Sequence, residues 1–259
     1  MQLQYEIIPI ENKDNLNFKP AKEQEFLHES IQEQILVCEL DENQKIYSIF
    51  GFHFLLKNKD EGIKYDRYYA YFSTEELSDE DISKTLRGSR TLKLTEKNTY
   101  TNANDIKFII CERGFMWCNI SQYDSTPRFY KTIILFLVAL AYNRKSTQIL
   151  NNVATSYKNK SHKEMIKARN EIYDFDLNCF FENPVKQDRH QQYNIWIIIE
   201  KNYHVINTHN EIESQVINLT NVIETRNRHN MSIWLTALGL MITLLSLITS
   251  IASLISIFK

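Results

Sequence analysis

The chain has 259 residues with 43% hydrophobic and 24% charged side chains, which permits one large folded unit with an appendage and excludes a mostly disordered or collagen-like protein. Its net charge of −2 hides a segregation: residues 1–83 carry 8 basic and 18 acidic side chains, 84–170 carry 16 and 5, and 171–259 carry 6 and 9. This points to an anionic partner or to a complementary contact between the first two segments, while five glycines, none in G-x-G-x-x-G or Walker spacing, exclude the usual nucleotide cradles.

Gln2 to Ile120 reads as a strand-rich head. Phe50, Phe52 and Phe54 alternate, and Tyr68, Tyr69, Ala70, Tyr71 and Phe72 form an aromatic, β-favouring cluster. Ser78-Asp79-Glu80-Asp81 predicts a helix start and Gly88 its stop. Lys107 to Cys111 and Phe115 to Ile120 are apolar runs separated by Glu112-Arg113-Gly114, the pattern of a hairpin. Cys38, Cys111, Cys118 and Cys179 have neither C-x-x-C spacing nor a disulfide framework, and read as buried thiols in a reducing compartment. His28 and His53 stand alone and fit surface or core positions better than the role of a base.

The basic middle segment offers two groups of candidate anion contacts. Lys84, Arg87, Arg90 and Lys93 recur every three residues around Gly88-Ser89. Arg144, Lys145, Lys158, Lys160, Lys163, Lys167 and Arg169 form the second group, with Tyr142 and Tyr157 interleaved. Cations beside aromatics suit a nucleotide or single-stranded nucleic acid, with charge for phosphates and rings for bases. The same pattern describes a solvated helix surface facing the acidic first segment or an anionic inner leaflet. Both readings stand at this point.

Thr132 to Tyr142 is too short to cross a bilayer and is predicted to be a core helix. Ser161-His162-Lys163-Glu164 is a capping box opening another helix that runs to about Asn183-Pro184, so that a helical hairpin is expected. From Pro184 no proline or glycine occurs until Gly239, and Ile195, Ile198, Val205, Ile212, Val216, Leu219 and Ile223 follow a three-four pattern interrupted by Asn202 and His209. This predicts a coiled-coil-like stalk whose phase continues through Ile233, Ala237, Leu240, Leu244, Leu247, Ile251 and Leu254, making stalk and tail one rod. Asn202 and His209 read as register-setting interruptions; His204 and His209, five apart, do not share a helix face in the zinc-binding manner.

Met231 to Phe258 holds no charged side chain and no proline, and its 28 residues make roughly 42 Å of helix, enough for a bilayer core of about 30 Å. Arg226, Arg228 and His229 precede it and only Lys259 follows, which predicts a single-pass C-terminal anchor with the N-terminal region in the cytoplasm. MQLQYEIIPIENKDN has no apolar run long enough for a signal peptide. Ser232, Thr236, Gly239, Thr243, Ser246, Ser250 and Ser253 alternate steps of four and three, one face of small and hydroxyl residues. That stripe is either a seam between copies in the lipid bilayer or the pore-lining wall of an oligomer, and the two are compatible.

No nucleophile elbow, H-E-x-x-H or deaminase spacing occurs, so no enzyme activity, metal or cofactor is expected. The expected class is α+β: a strand-rich cytoplasmic head over 1–125, a helical region over 126–183, a long stalk helix over 184–230, and one transmembrane helix over 231–258. This order, with Arg169 to Val185 (RNEIYDFDLNCFFENPV) leading through the stalk to Arg228-His229-Asn230, resembles CorA-like membrane proteins, in particular the single-span transmembrane effectors of Hailong anti-phage systems. No Gly-Met-Asn follows the span, which separates the chain from magnesium transporters. The resemblance implies a homotetrameric ion channel of the bacterial inner membrane acting in abortive infection. A nucleotidyltransferase encoded nearby would make an oligodeoxyadenylate that keeps it closed, and loss of this ligand would depolarise the membrane. The alternatives are a tail-anchored, non-conducting scaffold or receptor and a CorA-like divalent-cation transporter.

Overall fold

The computed structural model describes residues 2–11, 16–21, 24–59, 64, 66–102, 106–119, 124–159 and 161–257, with only the backbone for 216 and 249–257. Among them, nine strands form one sheet in the order β2-β3-β4-β5-β1-β6-β9-β8-β7. They are β1 (Gln2–Ile10), β2 (Lys19–Pro20), β3 (Ile35–Asp41), β4 (Gln44–Ile49), β5 (Phe52–Asn58), β6 (Tyr68–Ser73), β7 (Thr99–Thr101), β8 (Ile106–Cys111) and β9 (Gly114–Asn119). The helices are α1 (Glu29–Gln32), α2 (Asp79–Arg87), α3 (Thr126–Lys158), α4 (His162–Asn178), α5 (His190–Tyr203) and α6 (Val205–Ile257). The class is mixed α+β with a long, apolar C-terminal helix.

Every pairing is antiparallel except β6 with β9, which joins the two halves of the sheet in parallel. β6 and β9 are covered on both faces, so their apolar runs are nearly continuous instead of alternating. Ala70, Phe72, Phe115 and Trp117 belong to the core shared with α3, whereas Tyr69, Tyr71, Met116 and Cys118 pack with Ile82 and Leu86 of α2. Period-two alternation thus sorts each strand between two helical layers. Gly114 begins β9 at φ +136°, and a Cβ there would stand 1.9 Å from the Tyr69 carbonyl oxygen, so only glycine allows the parallel strands to approach.

Three local expectations shift. Phe50, Phe52 and Phe54 do not lie on one strand, because Phe50 and Gly51 have φ of 52° and 81° and turn the chain between the paired Ile49 and Phe52. Phe50 stacks on Tyr142 with ring centroids 5.1 Å apart, a contact that holds an aromatic residue in a left-handed position. α4 ends at Asn178 and α5 begins only at His190; Pro184 to Lys186 is extended and pairs with Phe26 to His28, as His28 N donates to Pro184 O and Lys186 N to Phe26 O. The hairpin of β8 and β9 turns through Glu112 and Arg113, with Cys111 opposite Gly114; Ile120 lies outside the described residues.

Helix starts and stops otherwise follow local chemistry. Ser78 accepts from Asp81 N and Gly88 caps α2 in the left-handed conformation, and Ser161 accepts from Glu164 N at the start of α4. Phe129 through Tyr142 of α3 is almost entirely buried, because the sheet covers one side of the helix and α4, α5 and α6 the other. One hydrophobic core therefore runs from Ile7 in β1 to Ile223 in α6.

Candidate functional site

α6 is 53 residues long and divides into two regimes. Val205, Ile212, Leu219 and Ile223 are buried against α3 and α4 of the same chain, and beyond Ile223 every described side chain is exposed. The expected stalk seam is accordingly corrected: Ile195, Ile198, Val205, Ile212, Leu219 and Ile223 close an intramolecular helical layer, leaving no coiled-coil face of those residues for another copy. A three-four stripe specifies a buried face without specifying what covers it. The side chain of Val216 lies outside the described residues.

The rod is also broken once. His204 adopts φ 53° and ψ 36°, ending α5 while its N–H bonds to Glu200 O, and α6 begins at the next residue. A left-handed residue other than glycine costs about 1–2 kcal/mol, so the surroundings must hold it. Asn143 Nδ2 of α3 donates to Tyr203 O at 2.8 Å, Tyr203 Oη donates to Cys111 O at 3.1 Å, and Asn202 Nδ2 donates to Lys97 O at 2.8 Å. The Tyr203 ring meets Phe136 edge-on at 5.2 Å. These contacts clamp the end of α5 to both the sheet and α3. From Val205 onward α6 is continuous into the tail.

Among the described residues α6 alone is long and apolar enough to cross a membrane, with an 18-residue window of mean hydropathy 2.1 in which nothing is buried. Trp234 is 72% exposed and Leu247 60%. Within the stripe, Thr236 donates to Ser232 O at 2.8 Å, Thr243 to Gly239 O at 2.6 Å, and Ser246 to Thr243 O at 3.0 Å. These hydroxyl donors are satisfied within the helix. A Cβ on Gly239 would meet nothing within 4 Å, so its smallness answers to no contact among the described residues. Ser250 and Ser253 have side chains outside the described residues.

The two cationic groups do not converge. Lys84, Arg87, Arg90 and Lys93 lie on α2 and the segment after it, where Lys84 meets Asp81 at 3.9 Å, Arg90 meets Glu80 at 3.5 Å and Arg87 meets Glu112 at 2.5 Å. The Arg87 pair holds the Glu112 carboxyl below its ordinary range against the opposing effect of burial. With Lys107 on Asp79 at 3.2 Å, the Asp81 and Glu80 pairs join the end of the acidic first segment to the basic second, as the complementary reading of the charge pattern has it, while Arg87 and Glu112 pair within the second. On α3, Lys145 meets Glu171 at 2.8 Å, Lys158 is exposed near the helix end, and Lys160 lies outside the described residues. Tyr142 is corrected from a stacking platform to a core residue, since its ring is fully buried and its hydroxyl donates to Cys179 O. Arg144 differs from its neighbours: its guanidinium lies over the Phe54 ring at 5.8 Å and lines two cavities, a placement that only the tertiary structure reveals.

His209, an expected seam interruption, is buried and stacked on Phe180 with ring centroids 3.5 Å apart. Asp176 Oδ1 stands 3.7 Å from its Nδ1 and Glu213 Oε1 3.8 Å from its Nε2. Compared with protein-family models, curated proteins and solved structures, the chain matches none of them.

Proposed function

We propose that the chain is an oligomeric membrane effector, an ion channel of the CorA-like defence type that its sequence resembles. It is anchored in the bacterial inner membrane by α6 with the N-terminal region in the cytoplasm, as the Arg226 and Arg228 flank favours. In this reading a homotetramer stays closed while its head holds an inhibitory nucleotide or oligonucleotide, such as an oligodeoxyadenylate made by a neighbouring nucleotidyltransferase. Ligand loss during infection opens it and depolarises the cell. The observation that carries the proposal is the continuity of α6, which is packed in the core at Val205 and Ile212 and reaches the exposed apolar segment without a break. A displacement of the head is thereby delivered to the membrane by a stiff element.

The face of Ser232, Thr236, Gly239, Thr243 and Ser246 supplies the polar side of the path in the oligomer. Replacing Thr243 and Ser246 together by leucine removes two hydroxyls from that face. The expected outcome is loss of depolarisation, followed with a potential-sensitive dye in cells expressing the chain without its neighbouring genes, with the oligomer in crosslinking unchanged. A parent chain that never depolarises the membrane overturns the channel reading.

A second reading, a tail-anchored scaffold that conducts nothing, is favoured by the back-bonded hydroxyls, which already satisfy their donors as lipid exposure requires. It predicts that an unrelated neutral apolar helix replaces 231–258 without loss of function.

A further inference from the structure

Two cavities meet at Tyr68 and Arg144. The smaller, about 270 Å³, lies at the β8–β9 turn and is lined by Arg67, Arg113 and Arg144 together with Asp66 and Glu112. Of its two carboxylates, Glu112 is drawn to Arg87 outside the lining at 2.5 Å, while Asp66 lies 3.9 Å from Arg67 within it. Arg67 also pairs with the fully buried Glu6 from the sheet, a contact that sets the guanidinium in place. Among the described residues Arg144 has no carboxylate in ion-pair distance, and its guanidinium rests on the Phe54 ring. The larger cavity, about 550 Å³, continues from Arg144 along α3 and is lined by the rings of Phe52, Tyr68 and Tyr203 and the amides of Asn143, Gln148 and Asn152.

The chemistry of the two halves differs in a way that selects a ligand. Planar guanidinia with a positive excess suit the oxygens of a phosphate, which they grip through charge-assisted paired hydrogen bonds. Aromatic faces beside side-chain amides suit a heteroaromatic ring, stacked on its face and hydrogen-bonded at its edge. The other basic regions lack this division: Lys84, Arg87 and Arg90 are paired with acids, and the basin holding Lys145, Lys163 and Lys167 also holds Glu164, Glu171 and Asp174.

We infer that the joined cavities bind a nucleotide, with its phosphate against Arg67, Arg113 and Arg144 and its base among Tyr68, Phe52 and Gln148, and that occupancy fixes the joint between α5 and α6. This rests on the reading of the head as a ligand-governed element and gives that ligand a location. The coupling is local and covalent at its core. Asn143, next to Arg144, holds the Tyr203 carbonyl; Tyr203 lines the base half and bonds to Cys111 at the end of β8; and His204, left-handed, ends α5 immediately before α6 begins at Val205. A ligand that bridges the β8–β9 turn and α3 favours the clamped arrangement of this joint over any arrangement in which turn and helix separate.

The test titrates the detergent-solubilised full chain with AMP, GMP, CMP and UMP, and separately with inorganic pyrophosphate and adenosine, by calorimetry. At least one monophosphate is expected to bind more tightly than both pyrophosphate and adenosine. Arg144→Gln is expected to weaken it roughly tenfold or more, as loss of a charge-assisted contact does. Gln148→Leu weakens the monophosphate and leaves pyrophosphate unchanged, while Lys45→Gln, on the far strand β4, changes neither. Hydrogen exchange at 200–208 slows in the presence of the monophosphate. Absence of monophosphate binding, binding indifferent to Arg144→Gln in a variant that unfolds at the parental temperature, or pyrophosphate binding as tightly as any monophosphate overturns the site. Depolarisation by a chain that binds no monophosphate sinks this inference and leaves the channel reading standing; binding without depolarisation does the reverse.

Discussion

His209 shows how burial decides what a titratable residue does. It is enclosed by Phe180 and Phe175, with Asp176 of α4 at Nδ1, Glu213 of α6 at Nε2, and Glu182 contributing from the chain after α4. Burial lowers its affinity for a proton below the usual imidazole value despite these acids, so it is neutral at pH 7. Burial, with Glu213 adding repulsion, pushes the Asp176 carboxyl up to about 6. A carboxylate raised on folding binds more protons in the native state, so its contribution falls as pH rises through the interval from 3.8 to about 6. The lowered histidine acts in the opposite sense over its own window, below the ordinary imidazole value. Asp176→Asn removes the first effect alone: at pH 7 the variant is expected to be more stable by about 1 kcal/mol after allowance for solvent screening, or about 2–4 °C in Tm. The gain disappears near pH 4, which thermal unfolding of the solubilised chain at both pH values measures. Equal stability at pH 7 contradicts the account. The sequence marks His209 as a polar break in a seam but contains no sign of Phe180 or Asp176 as its neighbours, because those lie about thirty residues away.

At the scale of elements, the parallel joint between β6 and β9 is where sequence and structure are most tightly bound. The hairpins β3–β4, β4–β5 and β8–β9 follow from short turns, whereas β6 and β9 meet only after the chain has passed through α2, β7 and β8. The close approach at Gly114 is the condition for that pairing. Gly114→Ala places a methyl against the Tyr69 carbonyl in a backbone conformation that alanine disfavours, so it is expected to cost about 2–3 kcal/mol or more. Thermal unfolding and hydrogen exchange at Tyr69, whose N–H donates to Arg113 O, report the loss. Unchanged stability would mean that β9 shifts its register freely. The helices show a complementary limit: capping residues place the starts of α2 and α4 correctly, while the α5–α6 break at His204 carries no glycine or proline to announce it. Its cause is the clamp formed by Asn143, Tyr203 and Cys111, three residues from three separate elements.

For the molecule as a whole, the decisive contrast is between a core whose buried residues end at Ile223 and a tail whose described side chains, over 224–248, are all exposed. At about 25 cal/mol per Å² of apolar surface, a fully exposed helix of this composition is strongly driven out of water. The expected outcome on fractionation is that the intact chain sediments with membranes and resists an alkaline wash, and that truncation before Met231 releases the remainder into the supernatant. The truncated chain retains every buried residue of the core, so its failure to appear in the supernatant would show an additional membrane contact in the head. An uncharged run of this length declares itself by composition alone, and so do the mixed α+β class, the hairpin of β8 and β9, the buried apolar half of α3 and the two helix caps. These depend on residue type and on neighbours a few positions away, which a linear pattern records. What the tertiary structure alone decided is which surfaces become partners: the supposed stalk seam turned inward because α3 and α4 cover it, the α2 cations paired with acids, Tyr142 sank into the core, and Arg144 came to stand between two cavities. A helical stripe or a row of charges fixes only that some complementary surface is needed, and whether the chain itself supplies it depends on contacts between elements far apart in the sequence.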